Sequence, residues 1–378
     1  MERFFDWYLW YYIFLAIMAY FYAVQRNKFL ADDNNNLLRD DGSKEEYKVG
    51  IFFAILVFLP LILLAGYRGW DFARKYGDTG GYIGMFQINP SSISEALETI
   101  DWDSKYPGFI LFIAIIKQFI SNDYRVFFII VASIQGLSLA IIYRYYRTNI
   151  ILSAFLFFAS TEFLSWMMNG MRQFLVVAIL FLIFPLLQKK KYIQFIIIVL
   201  LLFTVHRSAL VAIPLYFASL GKPFNKKTLI IIILCMAAIA FTGQFTNLMD
   251  DGLQDTAYSN MVSEFEGDDG TNIFRALVYS VPAIIAIINL KKIDDNTPDI
   301  INISINMSLI TAGLYFLSVP ISGIYMGRLP IYCSLFSYIL LPWEIKHFYR
   351  EDMYKIILGA MIVLYFLYYS YQVIEWGL

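Results

Sequence analysis

The sequence predicts an all-α, polytopic integral membrane protein with about twelve transmembrane helices. Three observations carry that reading. Hydrophobic residues make up 59% of the 378 and charged residues only 16%, with a mean hydropathy of +0.61. Soluble domains carry about 25% charged residues. Apolar runs of about 20 residues, the length that crosses roughly 30 Å of hydrocarbon, recur from end to end. The intervening polar stretches are too short for a separate soluble domain, so the chain reads as a single membrane domain over 1–378.

The apolar runs fall at about 5–25, 48–66, 106–121, 125–143, 149–165, 171–187, 192–205, 208–220, 228–242, 273–290, 300–319, 329–343 and 355–373. Glu2 and Asp6 at the start are unlike a basic cleavable leader, and the first run is a full span long. Short cytoplasmic loops collect Lys and Arg, so basic clusters orient the spans. Such clusters occur at Arg26–Lys48, Arg144 and Arg147, Lys189–Lys191, Lys222–Lys227, Lys291–Lys292 and Lys346–Lys355. All six fall inside if the run at 106–121 does not cross. That run is short, opens with Pro107-Gly108 and contains Lys117 and Gln118, as a helix at the outer interface would. Twelve crossings then remain, with both termini outside and 18 of the 29 Lys and Arg inside. The outer loops are about 67–124 and 243–272. The second is acidic, from Asp250 to Asp269.

A net charge of −1 argues against a nucleic-acid partner. Cys235 and Cys333 each sit in an apolar run, as buried inert thiols do. No cofactor and no metal site is expected. Asp101 and Asp103 in "DWD" read as a solvated turn.

The outer arginines are the informative residues. Arg125, Arg172, Arg207, Arg275 and Arg328 each open a helix that runs inward. A helix N-terminus carries about half a positive charge, so a cation there is disfavoured. The same arginines oppose the inside bias of basic residues. A bound anion would remove both conflicts, because free N–H groups and guanidinium forks together hold phosphate or pyrophosphate. Glu162, near the outer end of a span, needs a partner or a task, since a bare carboxylate there costs about 2.5–3.5 kcal/mol. His206, beside Arg207 and Ser208 at a helix start, is an acid–base candidate. The glycines around Asp78 in "YGDTGGY" allow a tight turn at which backbone approaches a ligand. Outer aromatics such as Trp70, Tyr76, Tyr82, Trp102, Tyr106, Trp166 and Tyr325 suit an interfacial belt, and a few suit stacking on sugar rings.

In order along the chain come Arg68; Gly77, Asp78, Thr79 and Tyr82; Arg172-Gln173; "HRSAL" from His206; and "GRLPIY" from Gly327. That order resembles the EpsG-like branch of the Wzy-type polysaccharide polymerases. The run at 106–121 is similar to the outer interfacial helices of GT-C-type glycosyltransferases. The resemblance implies joining of undecaprenyl-pyrophosphate-linked oligosaccharide repeats on the outer face of a bacterial cytoplasmic membrane. Partners would be those lipid-linked oligosaccharides, the lipid bilayer, a flippase and a chain-length regulator. On that reading Arg172, Arg207, Arg275 and Arg328, with Gln173 and Tyr325, hold the pyrophosphate. Asp78 or His206 takes the acceptor's proton, with Glu162 in reserve, and Arg68 and Tyr82 orient Asp78 or the sugar. The alternatives are a GT-C transferase using a polyprenyl-phosphate donor, and a flippase or transporter of the same lipid.

Overall fold

The computed structural model describes residues 13–21, 50–69, 77–102, 104–146, 148–253 and 270–375. Every regular element among them is helical. Among the described residues, four helices are long and apolar enough to cross a bilayer: Tyr124–Tyr145, Met171–Gln188, Asp299–Ile321 and Glu351–Glu375. The count rises to six if each of two bent pairs is one span. These are Ile150–Ala159 with Glu162–Asn169, bent by 77°, and Lys226–Ala240 with Thr242–Met249, bent by 107°. Shorter apolar helices occupy Ile51–Gly66, Pro107–Phe119, Tyr192–Val205 and Ile273–Ile288. Long and short helices alike carry large apolar side chains on an open face: Ile193 and Ile374 are each 77% exposed and Leu234 is 62% exposed. Rows of this kind fit hydrocarbon rather than water.

Sequence expectations change at the level of single runs, the one at 329–343 splitting into Ile331–Ser334 and Ser337–Phe348 and two others breaking as follows. The run at 149–165 is a ten-residue helix that breaks at Ser160 into a π-helix, Glu162–Asn169. The run at 208–220 is a 3₁₀ turn, Arg207–Val211, followed by the short helix Ala212–Ser219. Pro214 explains the second break: it offers no N–H to the carbonyl four residues back, at Leu210, and the backbone tightens there. The helix Pro107–Phe119 has 13 residues. At 1.5 Å per residue it rises about 20 Å, less than a bilayer core.

The chain divides into two compact units. The first takes the described residues within 1–85, 124–171 and 345–378. Its main pairing sets Ile51–Gly66 along Tyr124–Tyr145. Helix Ile150–Ala159 is buried along its whole length and packs on Glu351–Glu375, with Phe158 stacked on Tyr369 at 5.1 Å. The bend after Ala159 removes backbone partners, and Gln372 supplies one. Its Nε2 donates to the Ala159 carbonyl at 3.2 Å, while its Oε1 accepts from Thr161 at 3.0 Å. A broken helix in an apolar setting needs such a replacement.

The second unit takes 86–123 and 172–344. Helix Asp299–Ile321 is its axis, packed by Ile273–Ile288, Lys226–Ala240 and Ala212–Ser219. Asn306 on this axis braces a turn. Its Nδ2 donates to the Ser219 and Lys222 carbonyls at 2.9 and 3.0 Å, and its Oδ1 accepts from the Phe224 N–H at 2.8 Å. Phe181, Phe184, Tyr216 and Phe336 interlock edge to face. Helix Pro107–Phe119 packs against both Ile93–Thr99 and Tyr192–Val205. Lys117, only 8% exposed, donates to the Gln87 and Asn89 carbonyls at the end of Thr79–Ile88. The sequence places Glu344 beyond the last residue of an apolar run. The structure buries it completely within Ser337–Phe348, and neither carboxyl oxygen has a hydrogen-bond partner among the described residues.

Candidate active site

In the second unit, motifs far apart in sequence meet through side chains. Gln173 Nε2 donates to the Arg328 carbonyl at 3.1 Å, which ties "RQ" to "GRLPIY". Ser208 Oγ lies 2.6 Å from the Tyr332 hydroxyl, which ties "HRSAL" to the same segment. Thr271, just ahead of Arg275, meets the C-terminal end of the axial helix: its N–H donates to the Ser318 carbonyl at 3.1 Å, and its Oγ1 accepts from Ser318 Oγ at 2.7 Å. A Cβ on Gly327 would stand 2.7 Å from Thr271 Oγ1, so only glycine allows the turn before Arg328 to lie this close.

The arginines of this unit differ in setting. Arg172 is half-buried, with its guanidinium 4.1 Å from the centre of the Tyr106 ring and 5.7 Å from that of Phe109. The negative ring face receives its charge. Arg207, also half-buried, donates from Nη2 to the Ser104 carbonyl at 2.7 Å and lies over Phe203. Arg172 and Arg207 thus hold one short segment, Ser104 to Tyr106, which leads into the helix Pro107–Phe119. Arg328 is exposed, in the 3₁₀ turn Met326–Arg328. Arg275 is half-buried in the first turn of Ile273–Ile288, whose N-cap Asn272 accepts from the Phe274 N–H at 2.9 Å. Half-buried Tyr325 donates its N–H to Ser322 Oγ at 3.0 Å.

His206 occupies the break between Tyr192–Val205 and the 3₁₀ turn, in an extended conformation. Its Nδ1 is 2.7 Å from Ser208 Oγ. Burial lowers its pKa first, and the charges of Arg172 and Arg328 lower it further, to about 3. The ring is therefore neutral at physiological pH, and two of the expected anion ligands set up a positive potential at it.

In the first unit, Asp78 follows Gly77, whose φ of +56° needs glycine. A Cβ on Gly77 would overlap the Asn169 side chain. The Asp78 N–H donates to Asn169 Oδ1 at 2.6 Å, so the turn is pinned to the last residue of the π-helix. The Asp78 side chain is exposed. Tyr82 is half-buried one turn on, its N–H donating to the Asp78 carbonyl at 3.0 Å. Arg68 is 2% exposed. It donates from Nη1 to the Ala65 carbonyl at 2.9 Å and the Met167 carbonyl at 3.4 Å, contacts Met171 Sδ through Nη2 at 2.7 Å, and lies 4.5 Å from the Phe128 ring centre. These contacts brace the helix end and the π-helix. Glu162 is fully buried as the first π-helical residue. Arg125 is exposed against Tyr124.

Trp70, Asp71, Arg74, Lys75, Tyr76, Asp103 and the acidic stretch 254–269 lie outside the described residues. Asn169 in the first unit and Ser104 in the second hold candidate residues that sequence reasoning did not single out, and Tyr332, the last residue of "GRLPIY", was given no role of its own there. Tyr332 did carry a faint signal, as a hydroxyl in an apolar run four residues after Arg328. Asn169 and Ser104 carried none beyond a helix cap and a turn.

Searches of curated proteins and of solved structures each return no match. A model of the EpsG family matches residues 51–377, nearly the whole chain, and the protein belongs to the EpsG family.

Proposed function

We propose that this EpsG-family chain is a glycosyltransferase of the polymerase type, joining undecaprenyl-pyrophosphate-linked oligosaccharide repeats. The work is done on the outer face of a bacterial cytoplasmic membrane, for a capsule or exopolysaccharide of the Wzy-dependent kind. Twelve crossings, both termini outside and a GT-C-like interfacial helix at 107–119 complete this reading. A flippase would supply the lipid-linked repeats and a chain-length regulator would act beside the polymerase.

In the reaction, an acceptor hydroxyl oxygen bonds to the anomeric carbon of the growing chain. The anomeric C–O bond to pyrophosphate breaks, undecaprenyl pyrophosphate leaves with the bonding pair, and the hydroxyl proton passes to a base. Arg172, Arg207, Arg275 and Arg328 offset charge developing on the leaving group, so this scheme calls on no metal. His206 is the favoured base and Asp78 the second candidate. A neutral imidazole keeps a lone pair at every physiological pH. Its basicity is weak beside the arginines' charge and rises when an anion offsets that charge. Arg68 is assigned to bracing rather than to the sugar. The single observation that carries the proposal is the meeting of the arginine motifs around His206, with Arg172 and Arg328 acting on its ring.

Two fully buried carboxylic acids, Glu162 and Glu344, are what a transporter would use. They keep that second reading in play. A strain lacking the chain separates the readings. Single repeats on lipid at the outer face, with no long chains, support the polymerase. Lipid-linked repeats trapped at the inner face support the transporter, and repeats one sugar short support a GT-C transferase.

A further inference from the structure

We infer that Tyr332, acting through Ser208, is a positioning residue that fixes the ring and the tautomer of His206, holding the proton on Nδ1 and leaving the Nε2 lone pair toward substrate. The inference rests on the base role proposed for His206.

Three side chains form one chain of hydrogen bonds, with 2.7 Å from His206 Nδ1 to Ser208 Oγ and 2.6 Å from Ser208 Oγ to the Tyr332 hydroxyl. Ser208 carries one proton and two lone pairs, so it can donate to only one of its two neighbours. If Nδ1–H donates to Ser208, the Ser208 proton is left for Tyr332 and Nε2 is a base. The reverse direction puts the proton on Nε2 and makes it a donor. The base role proposed for His206 selects the first direction, because Nδ1 is the engaged nitrogen and Nε2 has no hydrogen-bond partner among the described residues.

Tyr332 is suited to anchor such a chain. It is 1% exposed, held in the short helix Ile331–Ser334, with its N–H donating to the Leu329 carbonyl at 3.3 Å. Its segment is also tied to the "RQ" motif through Gln173. Ser208, in contrast, sits in a five-residue 3₁₀ turn two residues from the histidine it engages. A serine hydroxyl rotates freely, so the buried phenol is what gives Ser208 one orientation. The catalytic candidate is His206; Ser208 and Tyr332 act only through it.

The test uses the full chain in lipid nanodiscs carrying His347→Gln, which removes the only other histidine. Its ¹⁵N spectrum then reports one ring. The expected result is a neutral imidazole with its proton on Nδ1. Tyr332→Phe and Ser208→Ala should give a mixture of tautomers, with kcat down on the order of tenfold and KM within about twofold. Ser208→Thr keeps a hydroxyl and should restore both the spectrum and kcat, which covers the case in which Tyr332→Phe fails to fold. A proton on Nε2 in the parent protein overturns the inference, as does an unchanged tautomer in both Tyr332→Phe and Ser208→Ala. If the tautomer shifts as expected but the parent transfers no sugar, the positioning stands and the reaction assigned to the site falls.

Discussion

Arg68 and Arg172 each stand at the end of a helix, and the two units use them in opposite ways. Arg68 comes just after the C-terminal end of Ile51–Gly66, where a cation is favoured. It is almost wholly buried, with its N–H groups directed to carbonyls and methionine sulfurs. Arg172 is at an N-terminal end, where a cation is disfavoured, and it stays half-exposed against the face of Tyr106. A charge that sits where the backbone wants it is spent on the fold. A charge held where the backbone opposes it is the better candidate for a ligand contact.

The comparison predicts which substitutions harm turnover and which harm folding. The largest effect is expected at Arg172. Arg172→Ala should lower sugar transfer by on the order of 10²–10³, by analogy with loss of an oxyanion donor. Arg172→Lys should do nearly as badly, because an ammonium cannot make the fork contact. Chain-length distribution on gels measures both, and a Lys variant with normal chains would remove Arg172 from the site.

At Arg68 the loss should appear in stability. Arg68→Ala removes charged hydrogen bonds and a buried side chain, a change of about 2–4 kcal/mol. Thermal unfolding in detergent should show it, while the protein that survives keeps its KM. A variant of full stability and no turnover would instead make Arg68 a substrate ligand and undo the contrast.

Gly77→Ala comes next, at about 1–2 kcal/mol for the left-handed backbone alone. The added methyl also pushes on Asn169 and so releases the Asp78 N–H. If Asp78 takes part in chemistry, kcat falls beyond what stability explains; if His206 alone is the base, kcat follows the amount of folded protein.

The last effect concerns pH. The folded-state pKa of His206 is depressed from 6.5 to about 3. The unfolded chain therefore takes up a proton as pH falls below 6.5 while the native ring does not, and this group costs stability progressively between pH 6.5 and 3. In the free protein the acid limb of kcat/KM attributable to His206 should accordingly lie well below 6.5. Arg328→Gln removes one of the charges that depress it and should move that limb upward. An acid limb already at 6.5 in the parent would mean that His206 is not under the arginines' potential.

What the sequence alone determines here is what depends on local chemistry. Transfer of apolar groups from water is nearly additive along a chain, so apolar runs announce helices and the membrane class without knowledge of neighbours. Charges at run ends, Gly77 before Asp78 and the turn residues around Arg172 and Arg328 are equally legible, since capping and backbone preference act over a few residues. Tertiary structure alone decides which arginine braces and which is presented. Arg68 is placed by Met167 and Met171, about a hundred residues away, and Ser208 is tied to Tyr332 across 124 residues. The bend after Ala159 depends on Gln372, 213 residues on. Such pairings leave no periodic trace, because a hydrogen bond between distant side chains needs only one residue at each end, and either residue alone looks ordinary.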